Sequence, residues 1–204
     1  MNWQVQPPLL LRRLHADRLW RMPAEKKLYL TFDDGPTPGV TDEALDILKR
    51  FNAQATFFCV GANAERHPEF FQRILQDGHA AGNHTQQHLN GWKTDTRVYL
   101  DDVARCAEIF SSSLFRPPYG RLKPTQSARL RAQGYRIVMW DVLSCDYEQG
   151  LRAEECLELV LEHTRAGSIV VFHDSVKAAA RMLPVLPKVL ERFGNEGYSF
   201  ERLL

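Results

Sequence analysis

Short apolar runs alternate with amphipathic segments from about residue 26 to the C-terminus. Six runs have the length and apolar content of buried strands. They are Lys27-Leu28-Tyr29-Leu30-Thr31-Phe32, Ala55-Thr56-Phe57-Phe58-Cys59-Val60, His79-Ala80-Ala81-Gly82-Asn83, Leu114-Phe115-Arg116, Arg136-Ile137-Val138-Met139-Trp140 and Ser168-Ile169-Val170-Val171-Phe172. Tyr198-Ser199-Phe200 offers a closing strand. Between the runs the apolar positions recur at helical spacing. Thr41 caps a segment that turns Ala44, Leu45, Leu48 and Phe51 inward. Pro68 opens another, with Phe70, Phe71, Ile74 and Leu75 inward, and Gly78 closes it. Further helices are predicted over about 95–112, with Val98, Val103 and Cys106 inward, over 125–133 and over 153–165. A final helix after the sixth run carries Pro184 and Pro187 near its middle, which predicts a kink or two pieces. Residues 1–25 show no clear period and read as a lead-in.

Near-continuous apolar strands alternating with helices imply a parallel sheet covered by helices. About seven such units predict an α/β fold, a distorted or incomplete (β/α)7-type barrel in a single domain over 26–204. The 204 residues suit one domain with a full core. A net charge of +1 gives no global field to recruit nucleic acid or an acidic membrane. The stretch 115–138 carries Arg116, Arg121, Lys123, Arg129, Arg131 and Arg136 and no acid, and most of these read as a solvated helix face. The four cysteines form no C-x-x-C pair and are expected to be reduced. No secretion signal or membrane-crossing run is read in the chain, so the cytoplasm is the expected location. Oligomeric state is not legible.

Chemistry gathers where the strands end. The first ends in Asp33-Asp34-Gly35-Pro36, two adjacent carboxylates that repel unless a cation is near. The third ends in His84-Thr85-Gln86-Gln87-His88, the fourth in Arg116-Pro117-Pro118-Tyr119-Gly120. The fifth ends at Asp141 and leads to Asp146-Tyr147, and the sixth ends in His173-Asp174. In a parallel β/α barrel these ends open on one face, where active sites are built. One helical turn would bring His84 and His88 to one side, a spacing that suits two imidazoles on one metal. His15, His67, His79 and His163 read as surface or structural residues, and Cys145 as a packed thiol. Trp92 and Tyr99 could line a groove, though aromatics on helices more often belong to the core.

The ordered motifs Thr31-Phe32-Asp33-Asp34-Gly35-Pro36, His84-Thr85-Gln86-Gln87-His88, Arg116-Pro117-Pro118-Tyr119-Gly120 and Val171-Phe172-His173 resemble those of the polysaccharide deacetylases, carbohydrate esterase family 4 with its NodB-homology domain. The resemblance covers about residues 26–204. It implies a distorted barrel of about seven β/α units that removes acetyl groups from N-acetylhexosamine units of a peptidoglycan- or chitin-like glycan by metal-activated water. It implies Asp34, His84 and His88 as ligands of a divalent metal, Zn²⁺ first, with Co²⁺, Ni²⁺ or Mn²⁺ as alternatives. Asp33 corresponds to the base, Arg116 to the partner that keeps it ionised, and the Tyr119 N–H to an oxyanion donor. His173 corresponds to the acid and Asp146 to the carboxylate that tunes it, with Asp141 as a rival. Pro117, Trp140 and Tyr147 are expected in the substrate groove. Tyr147 stands where the family usually has Trp, which bears on substrate choice.

Three other readings compete: an O-acetyl polysaccharide esterase, a carbohydrate-binding domain without catalysis, and Mg²⁺-dependent phosphoryl transfer. The last usually wants a second acid two residues after the first, where this chain has Gly35.

Overall fold

The computed structural model describes residues 5–204. In chain order its elements are α1 (Leu9–Leu14), β1 (Lys27–Asp33), α2 (Thr41–Arg50), β2 (Ala55–Cys59), α3 (Gly61–Arg66), α4 (Pro68–Gln76), β3 (Ala80–Asn83), α5 (Thr96–Ile109) and β4 (Leu114–Phe115). There follow a 3₁₀ turn (Pro118–Gly120), α6 (Pro124–Ala132), β5 (Arg136–Ile137), β6 (Val142–Leu143), α7 (Ala153–His163), β7 (Ile169–His173), α8 (Val176–Asn195) and β8 (Ser199–Phe200). Seven strands pair in parallel in the order β5-β4-β3-β2-β1-β7-β6, and β8 pairs with the start of β1. The sheet curls into an open half-barrel, as the alternation of runs predicts.

β1 lies at the centre, and Leu28, Leu30 and Phe32 on it are fully buried. Phe32 stacks between Phe57 and Phe172 of the flanking strands, at centroid distances of 4.8 and 5.9 Å. The α2 stripe Ala44, Leu45 and Leu48 and the α8 stripe Met182, Leu186, Val189 and Leu190 join the same core cluster.

Three expectations about single elements are corrected. α8 runs unbroken over 20 residues through Pro184 and Pro187. Pro184 is exposed and Pro187 half-buried, so both prolines lie off the buried stripe, which continues past them. Phe51, Leu75 and Val98 face solvent, whereas Tyr99 is buried. The run from Arg136 to Trp140 is not one strand. β5 pairs with β4 at one edge of the sheet, and β6, a few residues later, pairs with β7 at the other. The chain crosses the open side of the barrel between them.

The N-terminal segment closes that side. Leu19 bridges Val138 in parallel, and Arg21 bridges Ser168. Val5 O accepts from Leu143 N at 2.9 Å. Arg12 donates to the buried carboxylate of Asp141 at 2.5 Å, and Ser168 Oγ donates to its other oxygen at 2.6 Å. All four cysteines are buried and free, as expected. Among the described residues no helix is long and apolar enough to cross a membrane.

Candidate active site

A cleft of about 870 Å³ opens at the C-terminal ends of the strands. Asp33, Asp34, His84, His88, Pro117, Tyr119, Trp140, Tyr147 and His173 all line it. Arg116 and Asp146 are fully buried behind them. Apart from the rival Asp141, the residues singled out for the site from the sequence meet in one place.

Asp33 is the last residue of β1, in register with His173 at the end of β7. Arg116 Nη1 donates to Asp33 Oδ1 at 2.6 Å and to Thr31 Oγ1 at 2.7 Å. Its Nη2 and Nε donate to the carbonyls of Met139 and Val138 at 3.0 and 3.3 Å. The guanidinium also sits 4.1 Å from the Phe58 ring centroid. Burial lowers the pKa of Arg116, and Asp33 pulls it back up. A guanidinium with this many fixed acceptors is held in place as the counter-charge of the buried Asp33 carboxylate.

Asp34 adopts a left-handed backbone (φ 82°), which turns its side chain away from that of Asp33. Its Oδ1 lies 3.1 Å from His88 Nε2 and 3.7 Å from His84 Nε2. One ligand atom from each of the three residues lies within 4.8 Å of the others. Ligands ~2.0–2.1 Å from a tetrahedral ion sit about 3.3 Å apart, so the spacing fits. The tautomer fits as well. His84 Nδ1 lies 2.8 Å from the Arg116 carbonyl, an acceptor only, so Nδ1 carries the proton and Nε2 keeps its lone pair. One carboxylate and two imidazoles suit a borderline divalent ion. Burial opposes ionisation of Asp34, but hydrogen bonds to His84 and His88 outweigh it and hold the carboxyl far below its usual range.

The histidine pair does not converge through a helical turn. Residues 84–88 form a loop in which Thr85 and His88 are left-handed (φ 65° and 54°). Side chains hold this conformation. Asn83 Oδ1 accepts from Thr85 N at 2.9 Å, and Asp102 Oδ2 accepts from Gln86 N and Gln87 N, each at 3.0 Å. Asp102 is a buried acid on α5 that the sequence reading passed over; its signal was a carboxylate amid that helix's apolar positions.

His173 Nδ1 lies 2.7 Å from Asp146 Oδ1, and its backbone N–H donates to Asp146 Oδ2 at 2.8 Å. Burial disfavours the imidazolium, but Asp146, with Asp34 and Asp33 beyond it, raises the His173 pKa to about 9. Asp141 faces Arg12 and Ser168 instead, so the rival has a structural partner set of its own. Tyr147 packs edge-on against His173 at 5.0 Å, with Lys177 Nζ 5.5 Å from the Tyr147 centroid.

Tyr119 is left-handed (φ 60°) between Pro118 and Gly120, and its ring lies 4.7 Å from that of His88. Gly120 also has positive φ, and a Cβ there would come within 2.6 Å of the Trp140 ring. Asp174, next to His173, receives Gly35 N on Oδ1 at 3.0 Å and Thr41 Oγ1 on Oδ2 at 2.5 Å. It thereby fastens the turn that carries Asp34. Burial raises the Asp174 pKa to about 8, against the hydrogen bond from Thr41. Trp92 is exposed and lines the cleft, Tyr99 is core, and His15 lines the cleft rather than the outer surface.

A parallel half-barrel with carboxylates, imidazoles and a buried arginine at its strand ends has the layout of a barrel hydrolase. The polysaccharide deacetylase family model matches residues 21–138, more than half of the chain, and the chain belongs to that family. It is 30% identical over 193 residues to a peptidoglycan-N-acetylglucosamine deacetylase of Bacillus cereus, covering 89% of this chain and 88% of the relative. It is 34% identical over 157 residues to a chitooligosaccharide deacetylase of Azorhizobium caulinodans, covering 74% of each. Among solved structures, a peptidoglycan N-acetylglucosamine deacetylase in complex with 4-naphthalen-1-yl-N-oxidanyl-benzamide superposes with a TM-score of 0.89 at 30% identity, covering 96% of this chain and 94% of that one.

Proposed function

We propose that this protein removes acetyl groups from N-acetylhexosamine units of a peptidoglycan- or chitin-like glycan, with residues 26–204 as the catalytic unit. One observation carries the proposal. Asp33, paired to Arg116, and His173, paired to Asp146, sit in register on adjacent strands beside the Asp34, His84 and His88 cluster. A base, a proton donor and a cation site thus face one cleft.

A divalent ion held by Asp34, His84 and His88, Zn²⁺ first on this donor set and Co²⁺, Ni²⁺ or Mn²⁺ as alternatives, would acidify water and polarise the acetyl carbonyl. The relative's N-oxidanyl-benzamide is a hydroxamic acid, a chelating group, which supports a metal at this position. Asp33, kept ionised by Arg116, takes the proton of the attacking water. The Tyr119 N–H donates to the oxygen that gains charge as the carbonyl becomes tetrahedral. His173 enters the reaction as imidazolium and protonates the departing nitrogen, which leaves as an amine rather than an anion. Asp146 keeps that proton on His173 and fixes the ring. Pro117, Trp140 and Tyr147 provide walls for the sugar.

This provision of a donor that is already protonated near neutral pH favours an amide over an O-acetyl ester, and a complete set of groups argues against a binding domain without catalysis. The relatives are named for an envelope polymer and a chitooligosaccharide, which lends no support to a cytoplasmic location. Acetate release from N-acetylated and O-acetylated oligosaccharides, before and after chelation and with Zn²⁺ or Co²⁺ restored, tests the proposal. Release from N-acetylated substrates that stops with chelation and returns with metal is expected. Release indifferent to chelation, or confined to esters, overturns it.

A further inference from the structure

Arg18 lines the same cleft yet takes no part in the chemistry above. Only 9% of it is exposed. Its Nε is buried with no hydrogen-bond partner among the described residues. The neighbouring acid, Asp17, is engaged with Arg131 at 3.1 Å. Residues 1–4 include no acid. Burial lowers the Arg18 pKa against the pull of Asp17, and a buried guanidinium N–H without an acceptor is costly and persists where something else satisfies it. The Nε1 of Trp140, another lining residue, is likewise buried without an acceptor.

The rest of the cleft has the same polarity. Arg121 and Lys177 line it and lie over aromatic rings, Arg121 5.4 Å from the Trp92 centroid and Lys177 over Tyr147. The lining residues include two acids, Asp33 and Asp34. Asp33 is already neutralised by Arg116, and Asp34 belongs to the ligand cluster. Away from its centre the cleft therefore offers cations and aromatic faces. A guanidinium fork is matched by a planar carboxylate, which can take two parallel N–H bonds.

We infer that Arg18 binds a carboxylate carried by the glycan, so that the preferred substrate is an acidic N-acetylated strand, such as one bearing 3-O-lactyl groups, rather than a neutral one. The inference rests on the deacetylase reading for the identity of the substrate, but not for the role of Arg18. The arginine selects and positions the chain. It does not touch the acetyl group.

The test compares two oligosaccharides that differ at one group: an N-acetylhexosamine oligomer with free 3-O-lactyl carboxylates, and the same oligomer with those carboxylates converted to methyl amides. The ratio of kcat/KM for acid over amide is measured in wild type, Arg18→Met and Arg18→Lys. Wild type is expected to prefer the acid. Arg18→Met is expected to cut that ratio about tenfold, the loss of one charged contact. Arg18→Lys should keep part of it. Arg18→Met removes a buried charge whose Nε has no acceptor, so its Tm should equal or exceed that of wild type.

An acid-to-amide ratio that is the same in wild type and Arg18→Met overturns the inference, as does a wild type indifferent to the carboxylate. If the Met variant does not fold, the Lys variant and the wild-type ratio decide. If wild type releases no acetate from either oligomer, the deacetylase reading fails. Calorimetric binding of the two oligomers to wild type and variants then decides the role of Arg18 by the same ratio.

Discussion

Replacing Asp146 by Asn tests how the proposed proton donor is prepared. In the wild type His173 is raised from 6.5 to about 9, with Asp146 as the largest favourable influence. The difference corresponds to about 3 kcal/mol between its two protonation states. Asp34 and Asp33 add smaller pulls, and a cation beside Asp34 would cancel that residue's share. Asn has one acceptor oxygen for the two donors that Asp146 now satisfies, Nδ1–H and the backbone N–H of His173. Burial then dominates, and the pKa falls to 6.5 or below. At pH 8 about nine-tenths of wild-type His173 is protonated, against about 3% in the variant, so protonation alone costs about thirtyfold. At pH 6 the same comparison gives less than about twofold. The assay is kcat/KM for acetate release from pH 5.5 to 9.5, which reports the free enzyme. A wild-type to Asp146→Asn ratio that does not change with pH would refute the argument. Stability follows the same linkage. Because the folded pKa lies above the unfolded one, the pair stabilises fully below about pH 6.5 and loses its effect as pH rises through about 9. The wild-type Tm should therefore fall over that window by more than the variant's.

Three further outcomes are expected. Arg116→Met leaves the Asp33 carboxylate buried and unpaired, which costs about 3–5 kcal/mol and lowers Tm by roughly 10 °C in a domain of this size. Arg116→Lys cannot span the same acceptors, so a wild-type melt for the Lys variant would contradict the fork argument. Asp102→Ala frees the Gln86 and Gln87 amides that hold the histidine loop and should weaken metal retention about 10–100-fold, read by competition with a chelator. Gly35→Ala places a Cβ 1.9 Å from Asp174 Oδ2, so melting temperature and turnover should both drop; normal values for both would show that the turn can shift.

The barrel was legible because its strands are continuous apolar runs, and a fully buried parallel strand allows no other pattern. The placement of Asp33, His84, Arg116 and His173 followed from the rule that strand ends share a face. Three things were hidden. The unbroken α8 could not be read because the cost of a proline depends on whether its orphaned carbonyl meets solvent, which sequence does not state. The loop route of His84 and His88 was hidden because it depends on Asp102, 14 residues beyond His88, accepting two amides. The division of 136–143 between opposite edges was hidden because pairing partners, not propensity, decide where a strand goes. Arg18 gave no signal either, since an arginine in an aperiodic segment looks like a solvated one until its surroundings are seen.

The strap across the open side of the barrel bears on the order in which the chain folds. The contact of Arg12 with Asp141 spans 129 residues, and that of Arg21 with the Ala166 carbonyl spans 145. Contacts so distant in sequence form slowly, because a long loop must be ordered before they give anything back. Residues 12–21 thus wait for residues 141–166, which are synthesised later, before they find a place. Because Pro7, Leu11 and Trp20 from that early segment share the cleft with Val171 and His173 from the late one, a partly synthesised chain has no complete groove in which to act.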